Sequence, residues 1–171
     1  MLTAHAIQEA RLQGQISICP FHEDQLQANS YDLTLAPTVV QLLGTHFDLT
    51  KEPPCVEVPV SGGRLILDGG GCYLATHNEY VGASNLIMML HGRSTLARYF
   101  VSIHETAGFG DVGYRGHWTM EIYPKRDIVL YVGMRIAQIS FHLPVGKIDL
   151  RYHGRYVTGK SVPMLPVPNN F

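Results

Sequence analysis

No apolar run in this chain approaches the roughly 18–20 residues that a helix needs to cross a bilayer. The opening MLTAHAIQEARLQG is amphipathic and lacks the apolar core of a signal peptide, so a cytoplasmic protein with no membrane partner is expected. Surplus charge is missing too. Thirteen Lys and Arg against fourteen Asp and Glu leave a formal net charge of -1, which offers no electrostatic footprint for nucleic acid or an anionic membrane. A phosphate-bearing partner would need positive charge gathered at one site. The three cysteines, Cys19, Cys55 and Cys72, are odd in number and far apart. That excludes a disulfide framework and a Cys-x-x-Cys knuckle, and they are expected to be small buried hydrophobes.

Zinc signatures are absent despite nine histidines. There is no H-E-x-x-H and no H-x-E…P-C-x-x-C, and His104 directly precedes Glu105, which is the wrong spacing. No protein-held zinc is expected, and most histidines read as surface or satisfied core residues. One motif is present but misleading. Residues 154–161, GRYVTGKS, match the P-loop pattern letter for letter. A P-loop needs a strand before it and a helix after it, so that backbone N–H groups cradle phosphate. Pro163, Pro166 and Pro168 follow at once, and no helix can form through them.

A hydrophobic fraction of 46% and 171 residues are enough for one globular domain, taken as 1–171 with an extended tail from about residue 154. Thr3 is placed to cap a helix over 4–13 that Gly14 stops. The rest reads as short strands. Segments 16–18, 30–43 (bent at Pro37), 56–60, 64–67, 72–76, 86–90, 100–103, 118–123, 128–132 and 136–143 are apolar runs punctuated by Gly, Pro, Asp or Asn. The long regular helices of a parallel α/β sheet are missing. The expectation is a mainly β protein, a distorted jelly-roll-like barrel with a short N-terminal helix.

Chemistry concentrates between Gly92 and Glu121. GRSTLAR (92–98) is read as a β-to-turn segment that aims Arg93, Arg98 and the hydroxyls of Ser94 and Thr95, a set suited to forked contacts with phosphate oxygens. HETAGFGDVGYRG (104–116) supplies a glycine-rich turn and the carboxylate of Asp111. Glu121 follows on a strand. A lone strand glutamate usually faces solvent, but Met120 and Ile122 are not expected to alternate cleanly with it against an exposed face.

With these residues in view, the chain resembles the dCTP deaminases of the trimeric dUTPase-like superfamily. SYDLTL (30–35), GRSTLAR, HETAGFGDVGYRGHWTMEI (104–122), GMRIAQISF (133–141) and, weakly, GRYVTGKSVP (154–163) carry the likeness in order along nearly the whole chain. The resemblance implies a dUTPase-like β barrel forming a homotrimer with shared active sites. It implies that Arg93, Ser94, Thr95, Gln138, Arg155 and Tyr156 grip the triphosphate, with Tyr152 a further member. Asp111 would hold the deoxyribose 3′-hydroxyl, while Tyr114 and Thr119 shape the pocket. Glu121 would shuttle protons at C4 of cytosine, Arg98 would pair with it, and Ser94 and the carbonyl of Ala107 would position the water. Mg²⁺ is implied on the nucleotide phosphates only. Two departures stand out: Gly159 occupies the place of a tail glutamine, with Lys160 as a substitute, and Gly110 replaces an isoleucine.

The first expectation is hydrolytic deamination of dCTP to dUTP and ammonia. The alternative is a bifunctional enzyme that carries dUTP on to dUMP and pyrophosphate. A plain dUTPase is disfavoured by the presence of Glu121 and by the absence of a glycine-rich tail motif with a stacking phenylalanine. A non-catalytic jelly-roll module accounts for each motif alone but not for their combination.

Overall fold

The computed structural model describes residues 1–156 and 160–168. Gly159 and Phe171 lie outside the described residues. Thr3 starts helix α1 (Ala4–Leu12), its hydroxyl accepting from Ala6 N–H at 3.5 Å, and Gly14 ends it in a left-handed conformation (φ +72°). Ile7 and Ala10 turn its apolar side into the core.

Beyond α1 most of the regular structure is strand. β1 (Ile16–Cys19) pairs with β6 (Tyr80–Ala83), which also takes β10 (Arg115–Gly116). The main sheet has eight strands. Its path runs from β8 (Val101–Ser102) through β11 (Met120–Pro124), β5 (Cys72–His77), β2 (Tyr31–Leu42), β13 (Arg135–His142) and β7 (Ile87–Gly92) to β9 (Phe109–Gly110). β3 (Cys55–Glu57) pairs on the side of β2, and β4 (Arg64–Leu67) with β12 (Ile128–Tyr131) forms a separate hairpin sheet. β2 runs as one strand through Pro37, with a register shift between Leu35 and Val39 where the proline cannot donate. The result is the curled, mostly β fold expected. Its core gathers Ile7, Tyr31, Leu33, Leu67, Met120 and Phe141, all at most marginally exposed.

Three local expectations change. Residues 94–98 form a helical turn, α2 (Ser94–Arg98), rather than a β-to-turn segment. Ser, Thr, Leu, Ala and Arg carry no helix breaker, and only Leu96 of the five is buried. α2 stops where Phe100 takes φ +57°, a position that glycine usually fills. The cysteines are not core residues: all three are free and exposed. Finally, β11 alternates cleanly, with Met120 and Ile122 buried and Glu121 and Tyr123 on the opposite side. Among the described residues no helix is long and apolar enough to cross a membrane.

Candidate active site

Glu121 stands in register with Leu74 of β5, on the face of β11 turned away from the core. That face is the floor of a cavity of about 430 Å³, not open water. Ala107, Asp111, Tyr114, Thr119, Tyr152 and Tyr156 line the same cavity. Burial pushes the Glu121 carboxyl above its ordinary range; backbone N–H groups of Glu121 and Glu105 and the nearby His104 work against that rise. A carboxyl raised toward neutrality in a largely apolar pocket suits a group that must both take and give a proton.

The walls are aromatic. Tyr114 is buried, its hydroxyl donating to the His117 carbonyl at 3.4 Å, and its ring meets Trp118 edge-on at 5.0 Å and Tyr152 at 5.3 Å. Burial holds its phenol well above the usual tyrosine range, so it stays a neutral donor. Asp111 opens the turn that Tyr114 closes through its N–H (3.1 Å), and Gly113 takes the positive φ of +92° that the turn requires. After β13 the tail returns across this cavity. Met164 N–H donates to Thr119 Oγ1 at 2.9 Å and Ser161 Oγ donates to the His77 carbonyl at 2.8 Å. Thr119 is thus engaged by the tail, and Met164 and Pro166 complete the rim.

Tyr152 and Tyr156, expected to grip the triphosphate, line this aromatic cavity instead, whereas the other phosphate-binding candidates lie elsewhere on the same chain. Arg93, Ser94 and Gln138 border a second cleft of about 540 Å³ together with His91, His104 and Lys125. Arg93 Nη1 is 3.2 Å from Asp32 Oδ2, and Arg135 lies 3.7 Å from the same oxygen. Asp32 is buried, and its second oxygen has no hydrogen-bond partner. Burial raises its pKa although both guanidiniums oppose the rise. Gln138 bridges strands: its Oε1 accepts from Ser30 Oγ at 3.0 Å and its Nε2 donates to the Gly92 carbonyl at 3.1 Å. Thr95 and Arg98 are exposed on α2 and line neither cavity, and Arg155 and Lys160 are exposed on the tail. Arg98 is not among the charges acting on Glu121 within one chain.

Two clusters therefore divide the predicted residues, one aromatic with a carboxyl and one cationic with hydroxyls. Residues that the sequence did not single out also build the first: Trp118, Phe109 and Leu74 form its walls beside His117, and His77 sits behind them. Leu74 was legible as a strand residue. His77 was not, because its partner lies 41 positions away.

A mostly β, curled-sheet protein with an aromatic pocket over a half-buried carboxyl is the class that fold and site define. The family model for dCTP deaminase-like proteins matches residues 1–143. The chain belongs to the dCTP deaminase-like family. It is 35% identical over 149 residues to a protein of Clostridium beijerinckii named dCTP deaminase, dUMP-forming, covering 87% of this chain and 86% of that protein. A Leptospira biflexa protein of the same name is 35% identical over 152 residues, covering 89% and 87%. Among solved structures, the 2′-deoxycytidine 5′-triphosphate deaminase of Agrobacterium tumefaciens matches with a TM-score of 0.64 at 21% identity. That match covers 84% of this chain and 48% of the other, so it speaks for the fold alone.

Proposed function

We propose that this protein deaminates dCTP hydrolytically and carries the product on to dUMP and pyrophosphate. The observation that carries the reading is Glu121, a carboxyl raised by burial on the floor of a pocket sized for a nucleoside. The names of the relatives favour dUMP as the end product over the first expectation, in which dUTP is released.

In this reading Glu121 takes a proton from a water held by the Ser94 hydroxyl and the Ala107 carbonyl, and the water oxygen bonds to C4 of cytosine. Glu121 delivers that proton to N3, then carries the proton of the new C4 hydroxyl to the exocyclic amine, and the C4–N bond breaks as the C4 carbonyl forms, releasing ammonia. Proton shuttling of this kind is worth about 10²–10⁴-fold, and fixed orientation in the pocket supplies more. Asp111 holds the 3′-hydroxyl and orders the water that cleaves the α–β anhydride. Tyr114, Thr119, Tyr152 and Tyr156 enclose base and sugar. Arg93, Ser94, Thr95, Gln138, Arg155 and Lys160 serve the phosphates.

The separation of the two clusters supports a site completed by a second copy of the chain in a homotrimer. There Ser94 and Arg98 of one copy meet Glu121 of the next, and the guanidinium keeps that carboxylate charged and oriented. Magnesium fits as a phosphate-borne ion. The phosphate cleft offers the Ser94 hydroxyl and the Gln138 amide but no carboxylate on its lining, and a hard divalent cation prefers charged oxygen, which the nucleotide supplies. Among the described residues no His, Cys, Asp or Glu cluster could hold a metal by itself.

Incubation with dCTP and Mg²⁺, followed by separation of nucleotides and quantification of ammonia and pyrophosphate, tests the reading. Ammonia, dUMP and pyrophosphate in equal amounts are expected. Accumulating dUTP would return the end product to the first expectation, and no ammonia at all would remove deamination.

A further inference from the structure

The ladder between β5 and β11 pairs Ile122 with Tyr73, Glu121 with Leu74 and Met120 with Ala75. Two steps further back, where Trp118 would face His77, main-chain pairing gives way to side chains. Trp118 N–H donates to His77 Nε2 at 2.9 Å, and the Trp118 carbonyl accepts from Thr76 Oγ1 at 2.8 Å. The His77 carbonyl, the ordinary acceptor at such a position, takes His117 Nδ1 at 2.9 Å and the tail's Ser161 Oγ at 2.8 Å instead. An imidazole thus stands in for a carbonyl at the mouth of the strand that carries Glu121.

We infer that His77 is a positioning residue for deamination: its imidazole acceptor fixes the Trp118 backbone, and through it the pocket wall and the start of the Glu121 strand. This rests on the deaminase reading above. Three features fit the role. The ring is fully buried, so its position is set by packing. Because Nε2 accepts, the proton resides on Nδ1, which makes no hydrogen bond of its own among the described residues and faces the buried Glu79 carboxylate at 3.8 Å, an electrostatic contact. Glu79 is itself fixed by Gln25 Nε2 at 2.8 Å and by the Thr34 hydroxyl and amide at 2.7 and 3.0 Å, so a held carboxylate faces the protonated nitrogen from behind. Burial, with the neighbouring His117 adding to it, pushes the His77 pKa down to about 3, and the acceptor persists at any working pH. The consequence is local and chemical: Trp118 is the wall beside Tyr114, Thr119 anchors the tail, and Glu121 follows two residues later.

The test compares His77→Gln with His77→Asn in the full-length protein, per folded chain, with dCTP as substrate. Both replacements are neutral and polar, but only glutamine is long enough to bring a carbonyl oxygen to the Trp118 amide. His77→Gln is expected to recover most of wild-type kcat, and His77→Asn to lose about 10–100-fold in kcat with KM changed less than about threefold. Equal kcat values for the two variants, or an effect confined to KM, would overturn the role. Wild-type protein that releases no ammonia from dCTP would instead remove the deaminase reading, an outcome distinct from equal variants of an active enzyme.

Discussion

The indole of Trp118 lies against Gly110: a β-carbon at that glycine would stand 2.6 Å from Cη2 and Cζ2 of the ring. The large residue just before β11 and the missing side chain on β9 are one packing unit, and together they shape the aromatic wall of the cavity. Where related sequences are expected to carry an isoleucine, this chain has given the space to a tryptophan.

Gly110→Ala is therefore expected to destabilise the protein by about 1–3 kcal/mol, the usual range for overpacking, and to raise KM for dCTP. Adding Trp118→Leu should recover only part of the loss, because the Met88 carbonyl lies 3.1 Å from the same β-carbon. Denaturant melts of the single and double variants check this. A neutral Gly110→Ala would show that the ring moves freely.

His77 makes stability depend on acid. Its folded-state pKa of about 3 lies below the ordinary 6.5, so between those values the unfolded chain binds a proton that the folded chain refuses. Stability from this group is complete above pH 6.5 and falls as pH drops through the window. The expected slope reaches about one proton, with a total of a few kcal/mol. Urea melts from pH 7 down to 4 should show a shallower loss in His77→Gln than in the wild type.

Much of this architecture was readable in advance. Thr3 and Gly14 mark the ends of α1, and the punctuated apolar runs mark most strands, because caps and turns are local. Glu121 was found by its motif, although clean alternation places it on the face opposite the core and the surrounding cavity is what makes it more than a surface residue. Three things needed the folded chain. α2 is too short for periodicity to reveal. The exposure of all three cysteines depends on which strand faces stay uncovered. The roles of Asp32 and His77 rest on partners far along the chain.

The proposed sharing of sites between copies predicts complementation. Glu121→Gln and Arg98→Met should each lose most ammonia release, and because Arg98 lies outside the cavity of its own chain, it would act on the Glu121 of a neighbouring copy. Refolded together, the two should form mixed trimers in which about a quarter of sites combine both native residues. Recovered activity on mixing supports sites between copies, and none would place Arg98 and Glu121 in one chain's site. If Arg98 pairs with Glu121 across copies as proposed, Arg98→Met should also move any residual acid limb of kcat/KM to higher pH, because a cation that counters the effect of burial on Glu121 would be gone.

Thr119 ties the tail to the pocket through Met164 N–H. Thr119→Val keeps the shape and removes the acceptor, so KM for dCTP is expected to rise about 2–10-fold, in line with one net hydrogen bond. Steady-state kinetics decides; an unchanged KM would mean that the tail closes without this bond.

The most direct measurement pairs dCTP binding with ammonia release in Glu121→Gln. Calorimetric affinity for dCTP within about threefold of wild type, with ammonia release reduced at least about a thousandfold, is expected for the group that moves the protons. Substantial ammonia release from that variant would contradict the assignment of Glu121 as the catalytic residue.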